Sequence, residues 1–200
     1  MIDMVTRPTT WLCAALASLL VGLAGCTTSS EPDHRPRFAV PRRGDRPKYS
    51  AGIEMEEGSG LKWSGDIEAS AERARKVRKR VLVAFEGVTD VNGRVNRKQH
   101  FNQPAVRKLL SRYELVSLHI DAVPGEFYER APNNDDMGSD AEANLKFETE
   151  ILQTVASPLY VVLDPVGENR VCIVGVFDVG LFRDTGLFVE FLRDPAKRPE

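Results

Sequence analysis

Apolar and polar positions divide the chain into an amino-terminal segment and a folded body. Trp11 to Ala24 reads WLCAALASLLVGLA, a nearly continuous apolar run. It is too short for a comfortable membrane span, which needs about 20 apolar residues, and predicts the apolar core of a secretory signal over 1–25. Arg7 is the one basic side chain ahead of it. From Thr27 to Gly60 the chain turns to Ser, Pro, Arg and Gly. Such a stretch buries too little apolar surface to offset its ordering entropy, so 26–60 is predicted to be a flexible tether. From Leu61 onward the pattern becomes periodic.

Leu61-Lys62-Trp63 predicts a short apolar edge. Asp66 is placed to cap a helix from Ile67 to about Arg80, with Ala69, Ala74 and Val77 inward. Arg75, Lys76, Arg78, Lys79 and Arg80 gather at its end, where cations suit the helix dipole. Val81 to Phe85 is apolar at every position, the mark of a central strand buried on both faces. A helix is expected from about Val91 to His100, and another over Ala105 to Arg112 with Pro104 in its first turn. Leu115 to Ile120 is the next strand, and Ala122 to Gly138 a polar loop. Ser139 and Glu142 form a Ser-x-x-Glu capping box for a helix through about Thr154, with Leu145, Ile151 and Leu152 apolar. Leu159 to Leu163 and Val171 to Phe177 pair around a turn at Asp164 to Glu168. Leu187, Phe188, Phe191 and Leu192 mark a last amphipathic helix. The order β-α-β-α-β-α-β-β-α predicts an α/β layer closed by a hairpin.

Composition narrows the function. A chain of 200 residues suits one domain with extensions; the domain is placed at 61–195 and a tail at 196–200. The formal net charge of −2 supplies no pull toward nucleic acid, so no nucleic-acid partner is expected. The basic residues of the tether, Arg35, Arg37, Arg42, Arg43, Arg46 and Lys48, fit either a solvated linker or attraction to anionic lipid or wall polymers. Of three cysteines, Cys13 and Cys26 lie in or beside the apolar run, leaving Cys172 alone in the body. One cysteine forms no internal disulfide, and no Cys/His set has zinc spacing. No metal or cofactor is expected.

Leu23-Ala24-Gly25-Cys26 resembles the lipobox of bacterial lipoproteins. The resemblance implies cleavage before Cys26 and a diacylglycerol thioether on its sulfur. Several acyl chains anchor firmly, since each buried CH₂ contributes about 0.8 kcal/mol. The implied location is the bacterial cell envelope, lipid-anchored and facing the periplasm. Thr27 resembles outer-membrane sorting. The alternative is a plain signal peptide with Cys26 incidental.

The body resembles the thioredoxin-like superfamily, and within it the carboxy-terminal domain of the thiol:disulfide interchange protein DsbD. Those domains carry F-x-G-x-x-C-x-N-C-R-K, then D-P-x-V, a strand V-L-V-S-L-x-x-D, and P-Y-Y-V-x-L-D-P-x-G. Phe85 to Arg94 here reads FEGVTDVNGR, followed by Gln103-Pro104-Ala105-Val106, Leu115 to Asp121 as LVSLHID, and Pro158 to Gly167 as PLYVVLDPVG. The resemblance spans roughly Leu61 to Asp194 and implies a thioredoxin-like fold, a central mixed sheet flanked by helices. Its departure is local. The two family cysteines fall on Asp90 and Gly93, with Val91 and Asn92 between them, and no gap is needed.

Thiol–disulfide exchange needs an attacking thiolate and a second thiol to resolve the mixed disulfide. A carboxylate at Asp90 can cap a helix but cannot shuttle two electrons, and Gly93 has no side chain. The motif Asp90, Val91, Asn92, Gly93 is therefore read as a degenerate redox motif. The resemblance implies that Pro158 is cis and, with Ser157, forms a groove that pairs with an extended peptide. Extended segments of envelope proteins are the expected partners. The alternatives are an oxidoreductase-related protein using Cys172 and a partner's thiol, and a purely structural lipoprotein. Cys172, between Val171 and Ile173, reads as a small buried hydrophobe. His34, His100 and His119 are scattered, and Asp135, Asp136, Asp140 and Glu142 fit no EF-hand spacing.

Overall fold

A computed structural model of the chain describes residues 35–42, 48–50, 52–55, 58–153 and 156–197. The signal segment, Cys26, Thr27, His34, Arg43 and Arg46 lie outside the described residues. The elements are strands β1 (Phe38–Ala39), β2 (Ile53–Glu54) and β3 (Lys62–Ser64), helix α1 (Ile67–Val77), strand β4 (Arg80–Glu86) and helix α2 (Val91–Asn96). Then come α3 (Pro104–Leu110), β5 (Tyr113–His119), α4 (Asn134–Leu152), the hairpin β6 (Leu159–Gly167) and β7 (Arg170–Phe177), and α5 (Thr185–Arg193). The seven strands form one sheet in the order β1-β7-β6-β4-β5-β3-β2. β3, β5 and β4 run parallel, whereas β6 is antiparallel to β4 and to β7.

The pleat of β4 divides the core. Val81, Val83 and Phe85 face one layer, packed with Ile67, Ala71 and Ala74 of α1 and Phe147 and Ile151 of α4. Leu82 and Ala84 face the other, packed with Val106, Leu109 and Leu110 of α3 and Phe188, Phe191 and Leu192 of α5. Alternate residues of a strand point to opposite faces, so Glu86 shares the side of Leu82 and Ala84. In β5 the same side carries Leu115, Ser117 and His119, and the register sets Ala84 beside Ser117 and Glu86 beside His119. Both faces are covered, as the all-apolar run Val81 to Phe85 predicts. Each such side chain, fully buried, contributes roughly 1.5–3 kcal/mol.

Several expectations need correction. Part of the segment read as tether is folded: Phe38 and Ala39 pair with β7, Ile53 and Glu54 pair with β3, and Val40 is buried. These two-residue edge strands take their hydrogen bonds from the neighbouring strand and pack one apolar side chain each, Phe38 and Ile53, against the core. In α1 the buried positions are Ile67, Ser70, Ala71 and Ala74, whereas Val77 is 58% exposed. That helix stops at Val77 because Arg78 turns left-handed, φ 55°, and closes the last turn onto the Ala74 carbonyl. The helix expected from Val91 to His100 is α2 followed by a π-helical stretch, Arg97–Phe101. The capping box of α4 is Asn133 with Asp136, so the helix begins well before Ser139, and a 3₁₀ turn, Gly125–Phe127, interrupts the expected loop. Asp164 to Gly167 extends β6; the hairpin reverses around Asn169, φ 52°.

Candidate functional site

The site forms where β4 ends and α2 begins. Asp90 is the N-cap of α2, with extended backbone and its Oδ1 accepting from the amides of Asn92 (2.9 Å) and Gly93 (3.2 Å). This satisfies helix donors that otherwise lack partners. Its Oδ2 accepts from the Ser157 hydroxyl at 2.7 Å. The Ser157 Oγ in turn accepts from the Gly87 amide at 3.1 Å. The Ser157–Pro158 peptide is cis. One hydroxyl thus joins the proline loop to both ends of the turn between β4 and α2.

Gly93 is buried, and a Cβ built on it would lie 3.3 Å from both Asp90 Oδ2 and Glu86 Oε2. Val91, in contrast, is 61% exposed and Asn92 is exposed. The turn before Asp90 is fixed by Asp121, which accepts from the Val88 amide (2.9 and 3.1 Å) and the Ala122 amide (2.7 Å). Burial pushes the Asp121 carboxyl up, but these amide hydrogen bonds outweigh it and hold it below its usual range. Arg94 donates to the Val88 carbonyl at 3.0 Å. Across the helix, Asn96 donates to the Tyr160 hydroxyl (3.3 Å) and the Gly180 carbonyl (2.6 Å) and accepts from the Phe182 amide (3.3 Å). The loop between β7 and α5 is pinned to α2 in this way.

Behind this turn lies a buried polar cluster that the sequence analysis does not single out. Glu86 accepts from Arg97, with Nε to Oε2 at 3.1 Å and Nη2 to Oε1, and from the Ser117 hydroxyl. The Arg97 guanidinium lies 4.5 Å from the Trp63 ring centroid, a cation–π contact. Glu86, Arg97, Ser117 and His119 are all buried. Burial holds the His119 imidazole below its usual pKa; the Glu86 carboxylate opposes this and Arg97 reinforces it. The signal for this cluster is a glutamate closing an apolar run at the parity of Leu82 and Ala84.

The other candidates are dispersed. Cys172 is fully buried in β7 opposite Asp164, at the far end of the hairpin from Pro158, its sulfur 3.9 Å from the Arg35 carbonyl. His100 sits by α5, its Nδ1 2.7 Å from the Thr185 hydroxyl. Asp136 serves the cap of α4, while Asp140 is buried and accepts from Tyr128 (2.9 Å) and Tyr49 (3.1 Å). Among the described residues no cluster of His, Cys, Asp and Glu could hold a metal ion, and no helix is long and apolar enough to cross a membrane.

The mixed sheet and the helices on both faces agree with the fold expected from the sequence. The domain has a thioredoxin-like fold. Solved structures similar to it include a thioredoxin from Thermus thermophilus, 19% identical over 66% of this chain and 85% of that one, with a TM-score of 0.48. A DsbH oxidoreductase is 10% identical over 72% of this chain and 91% of that one, with a TM-score of 0.49. No protein-family model and no curated protein matches the sequence.

Proposed function

We propose that this thioredoxin-like domain is a non-catalytic protein-binding module, descended from the DsbD-like branch and carried on a lipid-anchored envelope lipoprotein through Cys26. The observation that carries the reading is the Asp90–Ser157 hydrogen bond of 2.7 Å. A carboxylate occupies the helix start where an attacking thiolate would stand, and it is held by the proline loop and the helix amides. Gly93 supplies no resolving group.

The surface around this point supports binding. Val88 (40%), Val91 (61%), Val179 (41%) and Leu181 (40%) are exposed. They lie in the turn before α2, at its first residue and in the loop that Asn96 ties to it. Exposed large apolar side chains gathered around one site mark an interaction surface. Extended segments of envelope proteins remain the proposed partners, laid along Ser157 and Pro158.

The test uses the full chain. Insulin reduction measured beside an ordinary thioredoxin should show no turnover. Capture of envelope proteins should be insensitive to reducing agent and should fall when Asn92→Trp or Leu181→Arg is introduced. Turnover at a rate comparable to the ordinary enzyme would overturn the reading, as would capture that disappears on reduction.

A further inference from the structure

A cavity of about 490 Å³ opens beside the turn between β4 and α2, and its lining does not include the loop between β7 and α5. Its size lies within the roughly 300–1,000 Å³ of small-molecule sites. Its lining includes the apolar side chains of Met55, Val88, Pro124 and Phe127 and, from α2 and the π-helical stretch, Arg94, Arg97 and Lys98. Glu86, Arg97 and His119 form its inner surface. The lining sets this apolar patch beside buried polar groups, a combination that ligand pockets use.

The charges lining the cavity cancel. Arg97 is committed to Glu86 through two hydrogen bonds. At the rim, Arg94 and Lys98 are balanced by Asp90 and Glu126. An ionic ligand therefore gains no net field and still loses its hydration. His119 differs from these groups. It is 5% exposed and its ring meets Phe127 edge-on at 5.2 Å; Nδ1 is unpartnered among the described residues but sealed from solvent, which leaves Nε2 as the ring nitrogen that a ligand in the cavity can reach. Buried polar side chains are hydrogen-bonded in the large majority of cases, so this imidazole retains capacity for one more polar contact.

We propose that this cavity binds a small uncharged amphiphile, its apolar body against Met55, Val88, Pro124 and Phe127 and its single hydroxyl at His119. Burial keeps the imidazole neutral, which suits exchange of a hydrogen bond with a hydroxyl group and disfavours pairing with a carboxylate. The site adjoins the proposed protein-binding surface: Val88 borders both, whereas Val91 and Leu181 do not line the cavity.

The experiment compares three probes that share one ring and differ in charge: p-cresol, 4-methylbenzoate and 4-methylbenzylammonium. Each is titrated into the isotope-labelled full chain while the amide resonances of Val88, Glu126 and Phe127 and the His119 imidazole are followed. Saturable shifts with p-cresol are expected, with both ions at least about tenfold weaker, which corresponds to about 1.4 kcal/mol. Met55→Trp, which fills one wall, should abolish the shifts, and His119→Phe should make p-cresol and toluene bind alike. Either ion binding as well as p-cresol, or p-cresol shifts that do not saturate or survive Met55→Trp, overturns the proposal. The charge series needs no variant, so a folding failure in either substitution leaves the test intact.

Discussion

Ser157 holds Asp90 from the side opposite the helix. Its hydroxyl donates to Oδ2 at 2.7 Å, while Oδ1 of the same carboxylate receives the amides of Asn92 and Gly93. Removing an N-cap carboxylate costs about 1 kcal/mol, and a single net hydrogen bond contributes about 1 kcal/mol. Asp90→Ala is therefore expected to destabilise the domain by about 2 kcal/mol. Ser157→Ala removes both the bond to Asp90 and the acceptor of the Gly87 amide and should lose a comparable amount, and the double variant should lose less than the two single losses added together. Urea unfolding of the four proteins checks this, since contacting residues are expected to be non-additive. Strict additivity would show that the two residues do not cooperate.

Restoring sulfur at the two positions tests the family registration. A Cβ at Gly93 would lie 3.3 Å from both the Asp90 and Glu86 carboxylates. Gly93→Cys alone is expected to destabilise by about 1–3 kcal/mol, the usual range for overpacking. Asp90→Cys with Gly93→Cys removes one of the two crowding groups and sets two thiols one helical turn apart. This pair is expected to close to a disulfide under mild oxidation, read as the loss of two hydrogens by intact mass. The Glu86 carboxylate beside the thiol introduced by Gly93→Cys would disfavour its thiolate, so insulin reduction by the variant should stay well below that of an ordinary thioredoxin. Failure to form the bond would remove the registration.

The Glu86–Arg97 pair is buried directly behind the degenerate motif, with Glu86 Oε2 3.3 Å from where a Cβ on Gly93 would lie, and it lines the cavity. Breaking a buried pair from one side leaves an uncompensated charge and typically costs about 3–5 kcal/mol. Arg97→Met is expected to fall in that range, because Glu86 then keeps only the Ser117 hydroxyl and Trp63 loses its cation. Glu86→Met with Arg97→Met should recover most of the loss, since apolar side chains of similar size replace an ion pair at little net cost. Chemical denaturation decides; a double variant as unstable as the single would mean that the pair shapes the turn rather than neutralising charge.

The sequence exposes the layers of this fold better than it exposes the site. Val81 to Phe85, Leu115 to Leu118 and Leu159 to Leu163 are apolar enough to announce central strands, and all are buried on both faces. The edges are less legible because β1 and β2 span two residues each and gain their hydrogen bonds from β7 and β3. The start of α4 is ambiguous in the sequence because Ser139-x-x-Glu142 competes with Asn133-x-x-Asp136, and only the second meets the cap geometry. Asp90 and Ser157 are singled out through resemblance, whereas the hydrogen bond between them comes from the structure alone. Glu86, Ser117 and His119 come together through cross-strand register, and Arg97 reaches them from a π-helical stretch that simple helical periodicity does not predict.

Two buried groups give the stability opposite pH slopes. His119 has a lowered pKa, mainly through burial, so the unfolded chain binds its proton more readily. Its contribution is present above the ordinary histidine value of about 6.5 and is lost as pH falls below it. Glu148 is fully buried, with Oε1 accepting from the Ala156 amide at 3.1 Å beside Ser157 and Oε2 lacking a partner among the described residues. Burial raises its pKa, opposed by that amide and reinforced by Asp178, so the folded chain holds the proton more tightly than the unfolded one. Its stabilising proton is present at low pH and stability falls as pH rises above the ordinary glutamate value of about 4.3. Glu148→Gln keeps the amide contact and removes the titration. Relative to the parent, the variant should gain stability as pH rises above the ordinary glutamate value of about 4.3, as followed by urea midpoints at increasing pH. A stability difference independent of pH would mean that Glu148 binds its proton equally well folded and unfolded, and the polar contact behind the proline loop would then have to be reassigned.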